Sequence, residues 1–301
     1  MRDYLLLMRP QEWIKNLVVF AGPLLGYRLF EFPAAWEAAV CFAAFCLVAS
    51  ASYAFNDVMD READAHHPAK RHRPVARGAI RPAAAAGMGM VLAALGMGLT
   101  IRLLNPNVTA LVGVYFLLIL AYSSGLKRRI ILDVIIIATG FVLRAWAGAE
   151  AVGAVTSEWL IACTFTLCLF MGFGKRRCEV AVLGETEHAR EHRATLARYT
   201  PELLNNLTSV SAAIAVVTFL LYTIEPSYPP PPFPKKHLLY TLPLVVYGVF
   251  RFAMLAQSGR FTGPTAIFLK DRAFQATIVL WGVVAGGIVF EDRVREWTGL
   301  G

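Results

Sequence analysis

Nine apolar runs, most of them long enough to cross a lipid bilayer, constrain this sequence more than any other feature. They occupy residues 17–30, 38–55, 83–101, 109–124, 130–149, 160–173, 207–224, 238–256 and 274–290. A spanning helix needs about 20 mostly apolar residues. Only 17% of the 301 residues are charged, whereas soluble domains carry roughly a quarter. The sequence therefore predicts an all-α, polytopic membrane protein with nine transmembrane helices and a single integral membrane domain over residues 1–301.

The basic residues are distributed unevenly between alternate loops. If the N-terminus is cytoplasmic, five segments on that side hold 21 of the 29 lysines and arginines: 1–16, 56–81, 125–129, 174–205 and 257–272. Because cytoplasmic loops carry an excess of Lys and Arg, we predict that the N-terminus is inside and the C-terminus is on the opposite side of the membrane. Orientation and anionic lipid or phosphate ligands explain the net charge of +8 better than nucleic acid does. Residues 1–16 are predicted to form an interfacial helix anchored by Trp13.

An acidic stretch follows the second apolar run. Asn56, Asp57, Asp60 and Asp64 form the pattern NDxxDxxxD. If the helix continues past Phe55, the three aspartates lie within about 60° of one another on one face. Three carboxylates on one face repel one another unless a cation neutralises them, and such all-oxygen sites suit Mg²⁺, which substrate phosphates often complete. We therefore predict a Mg²⁺ site, with Mn²⁺ as an alternative ion. For any single aspartate, a solvated helix end is the competing interpretation.

Further polar side chains that could bind the substrate lie on the same predicted cytoplasmic side. They are Lys15, Lys70, Arg73, Tyr122, Lys127, Lys175, Arg176, Glu179 and Asp271. Lysine and arginine are the usual partners of phosphate, so the convergence of several basic loops on one acidic stretch favours an anionic substrate. Basic residues also flank cytoplasmic helix ends as a rule, and Lys15 could equally extend to the lipid head groups.

Two arginines, Arg144 and Arg251, lie inside apolar runs. Ionised groups within a membrane span are costly and tend to face the interior of a helical bundle or a cavity. Each arginine could form an internal ion pair or meet the head group of a lipid acceptor. The sequence favours the internal pair slightly and leaves both interpretations open.

The acidic motif after the second of nine spans, followed by the KRHRP stretch at 70–74, resembles the UbiA superfamily of intramembrane prenyltransferases. In that family, two aspartate-rich motifs bind a diphosphate through Mg²⁺ in a helical barrel that is open to lipid. The first motif is matched in full by Asn56, Asp57, Asp60 and Asp64. The second, a DxxxD expected after the sixth span, is absent, and the basic stretch GKRRCE at 174–179 takes its place.

Four stretches resemble the decaprenyl-phosphate phosphoribosyltransferase branch of this superfamily: residues 9–16, 122–127, 132–148 and 174–179. The resemblance implies a UbiA-type barrel in a bacterial inner membrane, with cytoplasmic active-site loops. The implied reaction transfers phosphoribosyl from 5-phosphoribosyl 1-diphosphate to a polyprenyl phosphate, forming a cell-wall arabinan precursor. Asp57, Asp60 and Asp64 would hold the metal, with Asn56 orienting a ligand.

The resemblance also implies partners for the basic residues. Lys70 and Arg73 would bind the pyrophosphate, and the 5-phosphate or lipid phosphate would be bound by Lys15, Lys127, Lys175 and Arg176. Asp60 or Glu179 could accept a residual proton.

Two other functions stay open at this point. A conventional prenyl-diphosphate transferase would act on an aromatic or quinone-precursor acceptor. A transporter of an anionic metabolite would often contain internal repeats, and the sequence contains no such repeat. A homo-oligomer is compatible with either function.

Overall fold

The computed structural model describes residues 2–66, 70–155, 157–183, 198–226 and 233–291. Every regular element within these residues is helical, which confirms the all-α prediction. The chain divides into two compact units, Met1–Thr156 and Ser157–Gly301, and each unit is described by itself. The single domain over residues 1–301 stays a prediction.

The first unit is built around one long helix, α3. Its elements are α1 (Arg2–Met8), a 3₁₀ helix (Pro10–Phe20), α2 (Ala21–Leu25), α3 (Phe32–Met59), α4 (Arg61–His66), α5 (Pro82–Leu103), α6 (Pro106–Ser124), a short 3₁₀ helix (Leu126–Arg128) and α7 (Leu132–Ala151). Helix α3 packs against α5, α6, α7 and the first 3₁₀ helix. Its alanine-rich surface lets these neighbours approach closely, and Phe45 and Val48 are fully buried in the resulting core.

Small residues also bring the first 3₁₀ helix against α7. A Cβ atom on Gly148 would lie 1.8 Å from the carbonyl oxygen of Val19, so only glycine fits at that position.

Helix α6 begins at Pro106, and the side chain of Asn105 caps it by accepting a hydrogen bond from the Val108 N–H at 3.0 Å. Proline at the first helical position and asparagine at the N-cap are both favoured for helix starts.

The second unit has its own aromatic core. Its elements are α8 (Glu158–Leu183), α9 (Pro201–Ile224), a 3₁₀ helix (Lys235–Thr241), α10 (Leu242–Gln257), α11 (Pro264–Lys270) and α12 (Arg272–Val289). Phe170 and Phe252 meet edge to face with ring centroids 5.1 Å apart, and Ile267 is fully buried beside them. Helices α8, α9 and α10 pack around this core.

Eight helices in the described residues are long and apolar enough to cross a membrane, and they coincide with eight of the nine predicted runs. The remaining run, 17–30, is divided between the end of the first 3₁₀ helix and α2. With rises of about 2.0 Å per residue in a 3₁₀ helix and 1.5 Å in an α-helix, Pro10–Leu25 is about 30 Å long. That length matches the hydrocarbon core of a bilayer, so this segment is long enough to be the ninth span.

The N-terminal helix ends earlier than the predicted 1–16. Helix α1 covers Arg2–Met8, Arg9 has φ 52°, and the next helix starts at Pro10. Proline disfavours the helical conformation in the residue before it, and this local preference divides the segment in two. Within α1, Leu7 is fully buried whereas Leu5 and Leu6 are exposed.

Candidate active site

The acidic stretch crosses the end of α3. Asn56 and Asp57 lie in the last turn of α3, Asp60 is its C-cap with ψ 1°, and Asp64 lies in α4. The Asp64 N–H donates to the Asp60 carbonyl at 2.8 Å, so a helical turn continues across the junction. At 100° per residue, Asp57 and Asp64 return to nearly the same direction, as do Asn56 and Asp60. The three aspartates therefore stay on one face, as predicted, but two different cations bind them: Arg73 binds Asp57 and Asp64, and Lys127 binds Asp60 together with Asn56.

Arg73 joins the first pair. Its Nη1 donates to Asp57 Oδ1 at 3.1 Å and to Asp64 Oδ2 at 2.6 Å, and Lys70 Nζ lies 3.7 Å from Asp64 Oδ1. Asp57 and Asp64 are each only 2% exposed. A buried carboxylate without a partner is strongly destabilising, so these cations offset the cost of burying both aspartates.

Lys127 joins the second pair. Its Nζ donates to both oxygens of Asp60, at 2.5 and 2.7 Å, and to Asn56 Oδ1 at 3.2 Å. Lys127 lies in the short 3₁₀ helix between α6 and α7. The packing of α6 against α3 therefore brings this loop to the acidic stretch across 67 residues of sequence.

A cation that the sequence reasoning missed completes the arrangement. Arg9 Nη2 donates to Asp57 Oδ1 at 2.5 Å, and its guanidinium lies 4.9 Å from the centroid of the Tyr53 ring. Arg9 lies in the stretch 9–16, which resembles the family, but nothing in its spacing links it to Asp57, 48 residues away. The Arg-Pro dipeptide is the only local signal, because it indicates an interrupted helix at that point.

These residues define the acidic cluster, which consists of Asn56, Asp57, Asp60 and Asp64 with Arg9, Lys70, Arg73 and Lys127. Four basic side chains thus surround three carboxylates. The eight side chains of the cluster together carry four positive and three negative charges. That balance favours binding of an anion.

The donor set fits a hard divalent cation that a ligand completes. Within the described residues, no three His, Cys, Asp or Glu side chains form a metal-binding group. Asp57 and Asp64 nevertheless both accept from one Arg73 nitrogen, so their carboxylates face a common point where a cation could replace the arginine. Mg²⁺ is usually held by one or two carboxylates together with water and substrate phosphates. The geometry therefore supports a site of that kind and not a preformed all-protein cage.

Two other predicted residues of the first unit lie outside these contacts. Lys15 Nζ pairs with Glu12 Oε2 on the next turn of the 3₁₀ helix. Tyr122 lies half-buried in the last turn of α6, five residues before Lys127. Their roles in binding stay predictions.

Three predicted residues of the second unit lie on α8. Lys175 is exposed, and Arg176 Nη1 donates to Glu179 Oε2 at 2.8 Å, one turn further along the helix. The neighbouring Arg177 donates to Asn205 Oδ1 on α9 at 2.8 Å. The proposed substrate contacts of these side chains also stay predictions.

Asp271 has two structural tasks in the second unit. It accepts hydrogen bonds from Arg251 Nε at 2.6 Å and Nη2 at 2.9 Å, one on each oxygen. Its Oδ1 also accepts from the Phe274 N–H at 2.8 Å and so caps α12. Hydrogen bonding from Arg251 holds the pKa of Asp271 below its usual value. Arg251 thus forms the internal pair that the sequence favoured slightly.

Arg144 has only neutral partners among the described residues. It donates to Asn16 Oδ1 at 2.7 Å, to the Tyr115 hydroxyl at 2.6 Å and to the Gly140 carbonyl at 2.9 Å. Its guanidinium also lies 4.4 Å from the Tyr115 ring centroid. Arg144 is 6% exposed and joins α6, α7 and the first 3₁₀ helix. Arg144 is therefore an internal residue, as predicted, but among the described residues it forms no ion pair with a carboxylate.

The helical fold is that of an integral membrane protein, and its relatives are membrane transferases. Residues 17–278 match the UbiA prenyltransferase family. The chain belongs to this family.

Two similar relatives are decaprenyl-phosphate phosphoribosyltransferases. The protein of Corynebacterium glutamicum is 32% identical over 277 residues, which are 91% of this chain and 82% of the relative. The protein of Mycolicibacterium smegmatis is 32% identical over 301 residues, covering 94% of this chain and 91% of the relative.

The fold is also similar to a solved structure. A UbiA homolog from Archaeoglobus fulgidus bound to DMAPP and Mg²⁺ has a TM-score of 0.69 and 16% identity, covering 95% of this chain and 99% of that chain. The same homolog has been solved bound to Cd²⁺, with a TM-score of 0.66. The likeness confirms the UbiA fold, in which divalent cations are bound.

Proposed function

We propose that this chain transfers the 5-phosphoribosyl group from 5-phosphoribosyl 1-diphosphate to a polyprenyl phosphate and releases pyrophosphate. The observation that carries this proposal is the 32% identity to decaprenyl-phosphate phosphoribosyltransferases over 91% and 94% of the chain. The chemistry of the acidic cluster supports it. The donor brings a diphosphate and a separate phosphate, and the cluster offers more basic side chains than carboxylates.

The transfer exchanges one bond for another at the ribose. An oxygen of the lipid phosphate attacks C1, and the bond from C1 to the diphosphate breaks. The leaving pyrophosphate takes the bonding electron pair, so negative charge grows on its oxygens. Positive groups that are already in place at that charge lower the barrier. Lys70 and Arg73 lie at the aspartates and are proposed to bind these oxygens. The sequence assigns Lys127 to the 5-phosphate or the lipid phosphate, but its contact with Asp60 favours the pyrophosphate.

Asp57, Asp60 and Asp64 are proposed to hold Mg²⁺, for which Mn²⁺ can substitute, with Asn56 orienting a carboxylate or a phosphate. When bound there, the cation supplies Lewis-acid stabilisation of the leaving group. A phosphate monoester has its second pKa at about 6, so the acceptor is largely ionised near neutral pH. Asp60 or Glu179 is therefore needed only for a residual proton.

The remaining candidates are proposed to bind the 5-phosphate or the lipid phosphate. They are Lys15, Tyr122, Lys175 and Arg176, whereas Glu179 is proposed to contact the substrate only as a proton acceptor. Asp271 was predicted with them, but its contacts with Arg251 and the start of α12 favour a structural role.

We further propose that the membrane is the bacterial inner membrane, with the N-terminus in the cytoplasm and the C-terminus on the other side. The placement of 21 of 29 basic residues on the N-terminal side supports this orientation. The donor is soluble, so its site must face an aqueous compartment that contains it. Residues 292–301 lie outside the described residues, and a homo-oligomer stays a prediction.

A two-substrate assay tests the proposed function. Purified protein is mixed with Mg²⁺, polyprenyl phosphate and 5-phosphoribosyl 1-diphosphate labelled in the ribose. We expect label in the organic phase and an equal amount of pyrophosphate in the aqueous phase, both abolished when the lipid phosphate is left out.

Two parallel experiments test the competing functions, a conventional prenyltransferase and a transporter. In one, a polyprenyl diphosphate and an aromatic acceptor replace both substrates; prenylation there without ribose transfer would refute the proposal. In the other, the protein is placed in vesicles; uptake of unmodified labelled donor, with no label in lipid, would identify a transporter.

A further inference from the structure

Arg9 holds an unusual backbone conformation between α1 and the first 3₁₀ helix. Its φ of 52° and ψ of 60° are in the left-handed region, which a residue with a Cβ adopts at a cost of about 1–3 kcal/mol. The following Pro10 makes the conformation more unusual, since residues before proline are normally extended. Contacts elsewhere must therefore hold Arg9 in this place.

The contact that holds it is with the first aspartate of the acidic cluster. Arg9 donates to Asp57 Oδ1 at 2.5 Å, and Arg73 donates to the same oxygen at 3.1 Å. The other oxygen of Asp57 accepts no hydrogen bond from the described residues. Two guanidinium groups therefore converge on a single carboxylate oxygen, which is more positive charge than one aspartate neutralises.

The two arginines belong to segments that pack together, residues 2–9 and 70–80, which we call the arginine cap. Leu7, Val75 and Ile80 are buried in one small apolar cluster with Ala54 of α3 and Ala85 of α5. The Arg77 guanidinium also pairs with the Asp3 carboxylate. Packing of the cap therefore brings the backbones of residues 9 and 73 to the end of α3, and the contacts with Asp57 fix the two guanidinium groups there.

The charge of the cluster changes when a divalent cation binds. A divalent cation that binds Asp57 adds two positive charges to the four basic side chains and three carboxylates of the cluster. The arginines then lose the Asp57 oxygen and need another anion within reach. A diphosphate matches both needs, because guanidinium groups bind phosphate oxygens through paired hydrogen bonds.

We propose that Arg9 is a substrate-binding residue for the donor diphosphate: it neutralises Asp57 while the site is empty of ligand, and moves to the diphosphate oxygens when a divalent cation binds Asp57. This inference rests on the proposed function only in that the donor is a diphosphate. It follows that metal and diphosphate bind cooperatively, each improving the affinity for the other by the same factor. Without diphosphate, the cation competes with two arginines for Asp57.

Direct binding of Mn²⁺ to the full-length protein in detergent tests this. The signal of free Mn²⁺ in electron paramagnetic resonance is followed with and without inorganic pyrophosphate, for the wild type, Arg9→Gln, Arg9→Lys and Arg77→Gln. The same mixtures without protein are measured and subtracted, because pyrophosphate itself binds Mn²⁺ in solution. Arg77→Gln is the matched control, because it removes a guanidinium from the same cap without touching Asp57. The folding of each variant is compared by thermal unfolding.

We expect pyrophosphate to tighten Mn²⁺ binding of the wild type and of Arg77→Gln by about tenfold or more. Arg9→Gln should bind Mn²⁺ alone more tightly than the wild type and should lose most of the gain from pyrophosphate, with Arg9→Lys in between. In the transfer assay, the KM of Arg9→Gln for the donor should rise about tenfold, while its KM for the lipid acceptor is unchanged.

Folded Arg9→Gln with wild-type Mn²⁺ and pyrophosphate titrations would overturn the proposal and leave Arg9 as a fixed structural residue. A raised KM for the acceptor alone would also overturn it. The titrations use pyrophosphate only, so they decide the role of Arg9 even if phosphoribosyl transfer itself is not observed.

Discussion

Asp57 in the first unit and Asp271 in the second are both held by arginine, but in opposite ways. Asp57 presents one oxygen to two arginines from different segments, Arg9 and Arg73. Asp271 presents both oxygens to a single arginine, Arg251, and also caps the helix that follows it. At Asp57, two arginines share a single carboxylate oxygen. At Asp271, each carboxylate oxygen accepts from a different nitrogen of the same arginine.

This difference separates a site that can exchange ligands from a contact that fixes a helix. A bidentate arginine–carboxylate pair has a defined geometry that is lost if either partner moves. Two cations on one oxygen repel each other, so each is readily released to an incoming anion. The comparison therefore predicts that substitutions at Asp57 change turnover, whereas substitutions at Asp271 change stability.

The largest effect is expected for Asp57→Asn. The amide is nearly the same size as the carboxylate but carries no charge for a divalent cation or for Arg9 and Arg73. We expect transfer to fall by at least about 10²–10³-fold, the range for loss of one electrostatic contact in a transition state. The measurement is the initial rate of label transfer to lipid per folded molecule, at saturating substrates.

Asp271→Asn and Glu150→Gln are the matched comparisons for that rate. Glu150 lies near the C-terminus of α7 and accepts a hydrogen bond from Asn107 of α6. Its substitution therefore controls for the loss of a carboxylate in the same unit. Both variants should keep their rate within about threefold, less than one charged hydrogen bond is worth. Loss of transfer in folded Asp271→Asn as severe as in Asp57→Asn would show that the two aspartates share a role.

The sequence predicted the helices better than the contacts between charges. Apolar runs locate the spanning helices because each must be apolar over its whole length. The pairing of Asp57 with Arg9 depends instead on one left-handed residue before Pro10 and on the packing of α1, which no local pattern encodes. Lys127 was expected to bind phosphate, but its contact with Asp60 depends on how α6 packs against α3.

A smaller effect is expected when the cap of α12 is removed. Asp271→Asn loses the ionic bond to Arg251 but keeps an oxygen that can accept from the Phe274 N–H, since asparagine is a good N-cap. Asp271→Ala loses both. We expect Asp271→Ala to be about 1 kcal/mol less stable than Asp271→Asn, measured by chemical or thermal unfolding in the same detergent. Equal stabilities would mean that the cap contributes nothing and would weaken the structural half of the comparison.

The smallest effect is a pH dependence that belongs to Asp271. Hydrogen bonding from Arg251 lowers the pKa of Asp271 in the folded protein, and the unfolded chain has the ordinary aspartate value of about 4. A group with a lowered folded pKa contributes stability that is fully present above the unfolded pKa and is lost as the pH falls through the folded pKa. The wild type should therefore lose stability below about pH 4 more steeply than Asp271→Asn, which has no proton to bind there. Unfolding midpoints of both proteins from pH 7 down to pH 3 measure the difference, and parallel curves would show that the Arg251 pair does not lower the pKa of Asp271 in solution. The two proteins differ only at residue 271, so the difference between their curves reports the pair of Asp271 with Arg251.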